Sequence, residues 1–113
     1  MPYIATKTTC TITIEEEKRL KRKFGKAIEL LPGKTEEYLM LSFSGNEHLW
    51  FAGSDAPAAM IGVEVLGHLD HASCEALTAR LTEIVLEVLH IPADRVYVKY
   101  FETPEWGWCG RQF

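Results

Sequence analysis

The 113-residue sequence is poor in cysteine: it has only Cys10, Cys74 and Cys109, and no C-x-x-C pair. Three scattered thiols are too few for a disulfide framework, and one of them would stay unpaired. No apolar run approaches the roughly 20 residues that cross a bilayer, and the N-terminus has no signal-peptide pattern. We therefore expect a soluble, reduced, cytoplasmic protein with no membrane partner.

Positive charge is also scarce, with 12 Lys and Arg against 16 Asp and Glu, a net charge of −4. Such a chain has no general attraction to phosphate backbones, so we expect no nucleic-acid partner. The one basic run, 18–23, follows acidic residues at helical spacing, as in Glu15 with Arg19 and Glu17 with Lys21. This run is typical of a solvated helix face.

Metal-ligand patterns are missing as well. His68 and His71 are three residues apart, but no third ligand has a recognisable spacing. Asp70 between them is a good candidate for a helix N-cap. We therefore expect no metal site.

Apolar patterns divide the chain into two halves with the same order of elements. Thr13 and Glu16 have the spacing of a capping box, which predicts the start of a helix that Pro32 ends. Pro92 ends a second amphipathic helix, which Asp70 would cap. The predicted strands are 3–9, 38–44, 49–51, 59–66 and 96–101.

These elements form a β-α-β unit that occurs twice. The two helix-ending prolines, Pro32 and Pro92, are 60 residues apart, which fits a duplicated unit of about 2–55 and 56–113 inside a single domain, 1–113. We predict an α+β fold, called α/β in some schemes, with both helices on one face of one sheet. The strands look too apolar to leave the other face in water, so we expect sheets to pack face to face in an oligomer.

The Met-Pro start of the sequence can supply a reactive amine. Removal of the initiator methionine, which is usual before a small residue, would leave a secondary amine on Pro2 at the head of a strand. Burial and a nearby lysine would both disfavour the cation and lower the pKa of this amine. A neutral amine near pH 7 can act as a general base.

The C-terminal tail is rich in large aromatic residues, with Trp106, Trp108 and Phe113 in eight positions. Such a tail either packs on its own core or a neighbour, or forms the wall of a pocket for an aromatic ligand. Composition alone leaves both interpretations open.

Several short segments, taken in order over essentially the whole chain, resemble the macrophage migration inhibitory factor (MIF) family of the tautomerase superfamily. They are the Met-Pro start, Pro32-Gly33-Lys34 followed by Tyr38, the stretches 51–57 and 92–97, Gly67, and the ending from Gly107 to Phe113. The resemblance implies a homotrimer whose subunits each carry two antiparallel helices on a four-stranded sheet. The three sheets would enclose the centre, with active sites between subunits.

The resemblance further implies a keto–enol tautomerase, an isomerase that acts without metal or organic cofactor on aromatic α-keto acids such as phenylpyruvate. Pro2 matches the family's catalytic base, and Lys34 matches the lysine that binds the substrate carboxylate. Leu66 matches a backbone amide donor in the same pocket, and Tyr97 matches a tyrosine from the neighbouring subunit. The hydrophobic wall maps to Tyr38, Trp106, Trp108 and Phe113.

The sequence departs from the family pattern at three places. Lys99 replaces an asparagine two residues after Tyr97, and this second cation would add a contact to the substrate carboxylate, depress the pKa of the proline amine further, or alter the choice of substrate. Trp106 is bulkier than the expected aliphatic residue, which would narrow the pocket. Residues 58–61 replace the C-x-x-C of some animal members, so the oxidoreductase activity proposed for those members is not expected.

Two other functions remain open. One is a cytokine-like, protein-binding factor that mimics MIF, binds a receptor and has a vestigial pocket. Animal members leave cells without a signal peptide, so non-classical secretion is compatible with this alternative. The other is a different isomerase or dehalogenase of the superfamily. Such enzymes typically need arginines near the base, whereas this chain offers Lys7, Lys34 and Lys99.

Overall fold

The computed structural model describes residues 1–113, and its main feature is a mixed sheet of four strands. The strands are β1 (Pro2–Thr8), β2 (Met40–Ser44), β3 (Ala59–Leu66) and β4 (Val96–Thr103), in the spatial order β2-β1-β3-β4. The central pair, β1 and β3, is antiparallel, while each outer strand runs parallel to its neighbour. The predicted duplication of a β-α-β unit is therefore confirmed, with the two units joined at the middle of the sheet.

Two helices cover one face of the sheet: α1 (Ile14–Ala27) and α2 (His71–Leu89). α1 begins at the predicted capping box, in which Thr13 Oγ1 accepts the Glu16 N–H at 3.1 Å and the Glu16 carboxylate accepts the Thr13 N–H at 2.9 Å. α2 begins at Asp70, whose carboxylate accepts the Ser73 N–H at 2.9 Å. The α-helical part of the first helix ends earlier than predicted, because its last turn is a 3-10 helix, Ile28–Leu30. Neither helix is long and apolar enough to span a membrane.

The core lies between the helices and the sheet. Strand residues that point to the helices are fully buried, among them Ile4, Ile61, Val63 and Val65, and they pack with helix residues such as Leu20, Phe24, Leu77, Leu81 and Ile84. Burial of each such side chain contributes roughly 1.5–3 kcal/mol. This packing holds β1 and β3 rigidly in the middle of the molecule.

The opposite face of the sheet is mixed in character, which corrects the expectation that it is apolar. It carries the large apolar residues Met40, Tyr97 and Phe101, but also the charged residues Lys7, Glu64 and Lys99. The correction follows from the alternation of side chains along a strand: most apolar residues of each strand point to the helices, and the others point away.

The predicted strand 38–44 begins two residues late. Glu36–Tyr38 form a turn of 3-10 helix, in which the Leu39 N–H donates to the Glu36 carbonyl at 3.1 Å. β2 therefore starts at Met40. This turn moves Tyr38 off the sheet and to its edge.

The predicted strand 49–51 is wrong. After β2 the chain bonds to the end of β1, through the Asn46 N–H to the Cys10 carbonyl and the Glu47 N–H to the Thr8 carbonyl, both at 2.9 Å. These bonds draw the chain away from β2, so it does not fold back on that strand. Phe51 forms only an isolated bridge with Ser54.

The aromatic tail forms a small hairpin of its own. Its strands are β5 (Gly107–Trp108) and β6 (Arg111–Gln112), joined by Cys109 and Gly110. Both joining residues have positive φ, at 55° and 75°, as tight two-residue hairpin turns require.

Candidate functional site

Pro2 stands at the start of the central strand β1, where the chain end is tied to the sheet. Its side chain is buried, and it pairs with Val65 of β3. The first residue of a strand is a place that tolerates proline, which has no N–H for the ladder. One residue earlier, the Met1 carbonyl accepts the Leu66 N–H at 3.1 Å. The terminus is therefore held in place by backbone pairing.

Lys34 reaches the same end of the sheet from the loop that follows the first helix. Gly33 makes the turn with φ +78°, a conformation that favours glycine, and the Lys34 N–H donates to the Leu31 carbonyl at 3.0 Å. The Lys34 ammonium donates to the Leu66 carbonyl, also at 3.0 Å. The fold therefore brings Pro2, Lys34 and Leu66 together at one end of the sheet.

The surroundings of the terminal amine disfavour its cation. Burial lowers the pKa of the Met1 amino group below its usual value, and the positive charge of Lys34 lowers it further. Any amine at this end of β1 meets the same lysine.

A cleft of about 720 Å³ opens beside Pro2, and aromatic side chains form much of its wall. Three of the four predicted wall residues line it: Tyr38, Trp106 and Trp108. The rings of Tyr38 and Trp108 meet edge to face, with 5.9 Å between their centroids. Phe113 does not line the cleft; it packs behind Trp108, at 6.1 Å between centroids. The tail thus packs on its own chain and also builds the pocket.

Glu37 and Met40 are among the residues that line the cleft without having been singled out in the sequence. Glu37 lies in the 3-10 turn beside Tyr38, and it adds a carboxylate to an otherwise largely apolar wall. Met40 starts β2 opposite Tyr3 of β1 and is largely exposed. The only signal for either residue was its nearness in sequence to Tyr38.

Tyr97 and Lys99 lie away from Pro2 within the chain. β4 places them opposite Met60 and Gly62 of β3, whereas Pro2 pairs with Val65. The Tyr97 ring faces a separate, apolar cavity of about 190 Å³. The Lys99 ammonium lies 4.8 Å from the centroid of the Phe101 ring. Within one chain, Lys34 and Leu66 therefore lie near Pro2 but do not line the cleft that Pro2 shares with Tyr38, Trp106 and Trp108. Tyr97 and Lys99 join neither group.

The histidines near α2 have other partners. His68 Nδ1 lies 3.1 Å from a carboxylate oxygen of Glu102, and Asp70 caps the helix. Cys74 is half-buried beneath Tyr100, and burial raises the pKa of its thiol. No group of three or more His, Cys, Asp or Glu side chains in residues 1–113 is arranged to hold a metal ion.

Comparison with known proteins identifies relatives of this fold. The family model described as macrophage migration inhibitory factor (MIF) matches residues 1–113. A macrophage migration inhibitory factor of Xenopus laevis is 29% identical over 83 residues, which cover 72% of each chain. The crystal structure of MIF2 from Leishmania major superposes with a TM-score of 0.94 at 31% identity, covering 100% of this chain and 97% of the other. A MIF homologue from Prochlorococcus marinus gives a TM-score of 0.89 at 27% identity, covering 98% of both chains.

Proposed function

Because the chain belongs to the macrophage migration inhibitory factor family, of the tautomerase superfamily, we propose that it is a cofactor-independent keto–enol tautomerase. Its substrates are aromatic α-keto acids such as phenylpyruvate. Pro2 is the general base once Met1 has been removed. The unpaired cysteines fit the reducing, cytoplasmic setting that we propose for it.

One observation carries this proposal: the Leu66 N–H, which lies beside the Lys34 ammonium, already donates a hydrogen bond to a carbonyl oxygen, that of Met1. Loss of Met1 frees that N–H for an oxygen of the substrate. Lys34 has three donors, so it can keep its bond to the Leu66 carbonyl and still contact a carboxylate. Charge-assisted bonds of this kind fix both the position and the orientation of an acid.

The proposed mechanism is proton transfer by a positioned amine. Lys34 and the Leu66 N–H hold the carboxylate, and the aromatic wall takes the ring. The Pro2 nitrogen removes a proton from the β-carbon, and the ammonium so formed gives that proton to the carbonyl oxygen, which yields the enol. The same steps in reverse regenerate the keto form. A positioned base contributes roughly 10²–10⁴-fold to such a reaction, and orientation of the bound acid contributes further.

We further propose that the protein is a homotrimer and that a neighbouring subunit supplies Tyr97 and Lys99 to each site. Both residues lie too far along the sheet to join Pro2 of their own chain. Large apolar side chains also remain exposed, including Met40, Trp50, Tyr97 and Phe101. Burial of these side chains between subunits would stabilise the assembly.

The test is the ketonisation of phenylpyruvate, measured by the loss of enol absorbance, on protein whose intact mass shows that Met1 is gone. Pro2→Ala keeps a terminal amine but loses the ring that fixes its direction. We expect kcat/KM to fall by roughly 10²–10⁴ with the fold unchanged. Arg80→Lys is the control, since Arg80 on the surface of α2 pairs only with Glu83 and lies in no part of the proposed site.

Unchanged activity of Pro2→Ala, in protein that lacks Met1, would contradict this mechanism. It would favour the alternative of a cytokine-like binding factor, whose receptor contacts do not need the amine. Retention of Met1 in the purified protein would predict an inactive sample that gains activity after treatment with methionine aminopeptidase.

A further inference from the structure

All the hydrogen bonds that the Arg95 guanidinium donates go to a single loop. It lies just before β4, and its Nε donates to the Pro57 carbonyl at 2.9 Å. Nη1 donates to the Phe51 carbonyl at 3.1 Å, and Nη2 donates to the Ser54 and Ala56 carbonyls, both at 3.0 Å. One side chain therefore binds four backbone oxygens of the segment 51–57, which we call the Arg95 loop.

Within the Arg95 loop itself, one side-chain hydrogen bond forms, in which Ser54 Oγ accepts the Ala56 N–H at 3.1 Å. The loop's only backbone pairing is the reciprocal bridge between Phe51 and Ser54, at 2.9 and 3.0 Å. The two residues between them, Ala52 and Gly53, have φ of 52° and 76°. Glycine adopts this left-handed conformation freely, but alanine is strained in it. The loop thus needs a partner outside its own backbone, and Arg95 provides it.

The same guanidinium is coupled to Tyr97 through one ring. Its carbon lies 5.3 Å from the centroid of the Phe51 ring, and the Phe51 ring packs edge to face with Tyr97 at 4.9 Å between centroids. Arg95, Phe51 and Tyr97 also line the same apolar cavity. Tyr97 is 60% exposed, and Phe51 is the aromatic residue whose ring packs against it.

We infer that Arg95 is a positioning residue for Tyr97: it fixes the Arg95 loop, the loop fixes the Phe51 ring, and that ring orients Tyr97. This inference rests on the proposed function, in which Tyr97 completes the site of a neighbouring subunit. Lysine cannot replace Arg95, because an ammonium is a point donor and cannot span four carbonyls as the planar fork does. The role is therefore specific to arginine.

The test is Arg95→Lys, with phenylpyruvate as substrate. Tyr97 orients the substrate ring and does not carry the proton, so we expect KM to rise about tenfold while kcat changes by less than about threefold. Arg80→Lys is the matched control, because Arg80 on the surface of α2 pairs only with Glu83. In a Tyr97→Ala background, Arg95→Lys should cause no further change, since coupled residues are not additive.

A second readout does not depend on activity. The Tyr97 ring protons should experience the ring current of Phe51, and this NMR shift should be lost in Arg95→Lys but kept in Arg80→Lys. If Arg95→Lys does not fold, Phe51→Leu removes the ring contact while keeping the loop carbonyls, and it should give the same rise in KM and the same NMR change. An unmoved Tyr97 signal, or effects of Arg95→Lys and Tyr97→Ala that simply add, would overturn the inference. An inactive wild-type enzyme with the expected NMR change would instead count against the proposed function alone.

Discussion

At the scale of single residues, Lys34 has two effects that experiments can separate. Its ammonium donates to the Leu66 carbonyl at 3.0 Å, which places a positive charge at the carboxylate site that we propose. The same charge, together with burial, lowers the pKa of the amine at the chain end. A lowered pKa leaves the amine neutral, and so able to accept a proton, at lower pH.

We therefore predict that Lys34→Ala shifts the pH profile as well as the affinity. Without the lysine the pKa of the terminal amine rises, so the ascending limb of kcat/KM should move to higher pH. KM should also increase through the lost carboxylate contact. Lys7→Ala is the control, because Lys7 lies near the far end of β1 and should leave the limb in place. If the ascending limb of kcat/KM stays at the same pH in Lys34→Ala, the lysine does not affect the pKa of the base.

Part of the candidate site could be predicted from the sequence, because the family motifs lie at positions that the fold brings together. Pro2, Lys34 and Leu66 were identified through the family resemblance, and the fold brings them together. Glu37 could not be identified in this way. It lies in a three-residue 3-10 turn, which is too short to show any periodicity of apolar residues. The sequence pattern therefore could not predict that Glu37 lines the cleft.

At the scale of elements, the predictions that were correct depended on local chemistry. Both helix starts follow from side chains that accept backbone N–H groups, at Thr13 and at Asp70. β3 has the predicted bounds, Ala59–Leu66, because an apolar residue at every second position suits a strand with one buried face. The segment 49–51 failed because strand propensity does not specify a partner, and the bonds of Asn46 and Glu47 to the end of β1 decide where the chain goes.

The capping box of α1 gives a prediction at this scale. Thr13→Ala should lower the free energy of unfolding by about 1 kcal/mol at neutral pH. The bond from the Thr13 N–H lowers the pKa of the Glu16 carboxyl. The stability that this bond contributes is therefore present above the ordinary glutamate pKa, near 4.3, and is lost as pH falls through the lowered value.

Denaturation at several pH values, at fixed protein concentration, checks this prediction. The difference between wild type and Glu16→Ala should shrink in acid, because protonation of the Glu16 carboxylate weakens the bond that it accepts from the Thr13 N–H. Thr13→Ala keeps that backbone N–H and removes only the bond to Thr13 Oγ1, so its difference from wild type should depend little on pH. Thr35→Ala is the matched control, because Thr35 precedes a 3-10 turn without making a side-chain cap. A difference between wild type and Glu16→Ala that stays constant into acid would mean that the bond from the Thr13 N–H to the Glu16 carboxylate contributes nothing.

At the scale of the whole molecule, the open face of the sheet is the part that one chain cannot explain. It exposes Tyr97 and Phe101 among charged residues, so it resembles neither a core nor an ordinary solvated face. The sequence predicted a partner for this face but misjudged its polarity, because a strand's overall apolar content does not show which residues point outward. Association of three such faces would also bring Tyr97 and Lys99 to sites that lack them.

The last prediction tests whether each site needs two chains. Pro2→Ala and Tyr97→Ala should each reduce activity, and light scattering should show that both remain trimers. If equal amounts are unfolded together and refolded, a site with both Pro2 and Tyr97 forms wherever a Tyr97→Ala chain meets a Pro2→Ala neighbour in the right order. Random assembly of a closed ring then restores about a quarter of the wild-type sites. If each site were built within one chain, mixing would restore no activity, because no chain in the mixture carries both Pro2 and Tyr97. Activity equal to the mean of the two variants would therefore exclude the shared site.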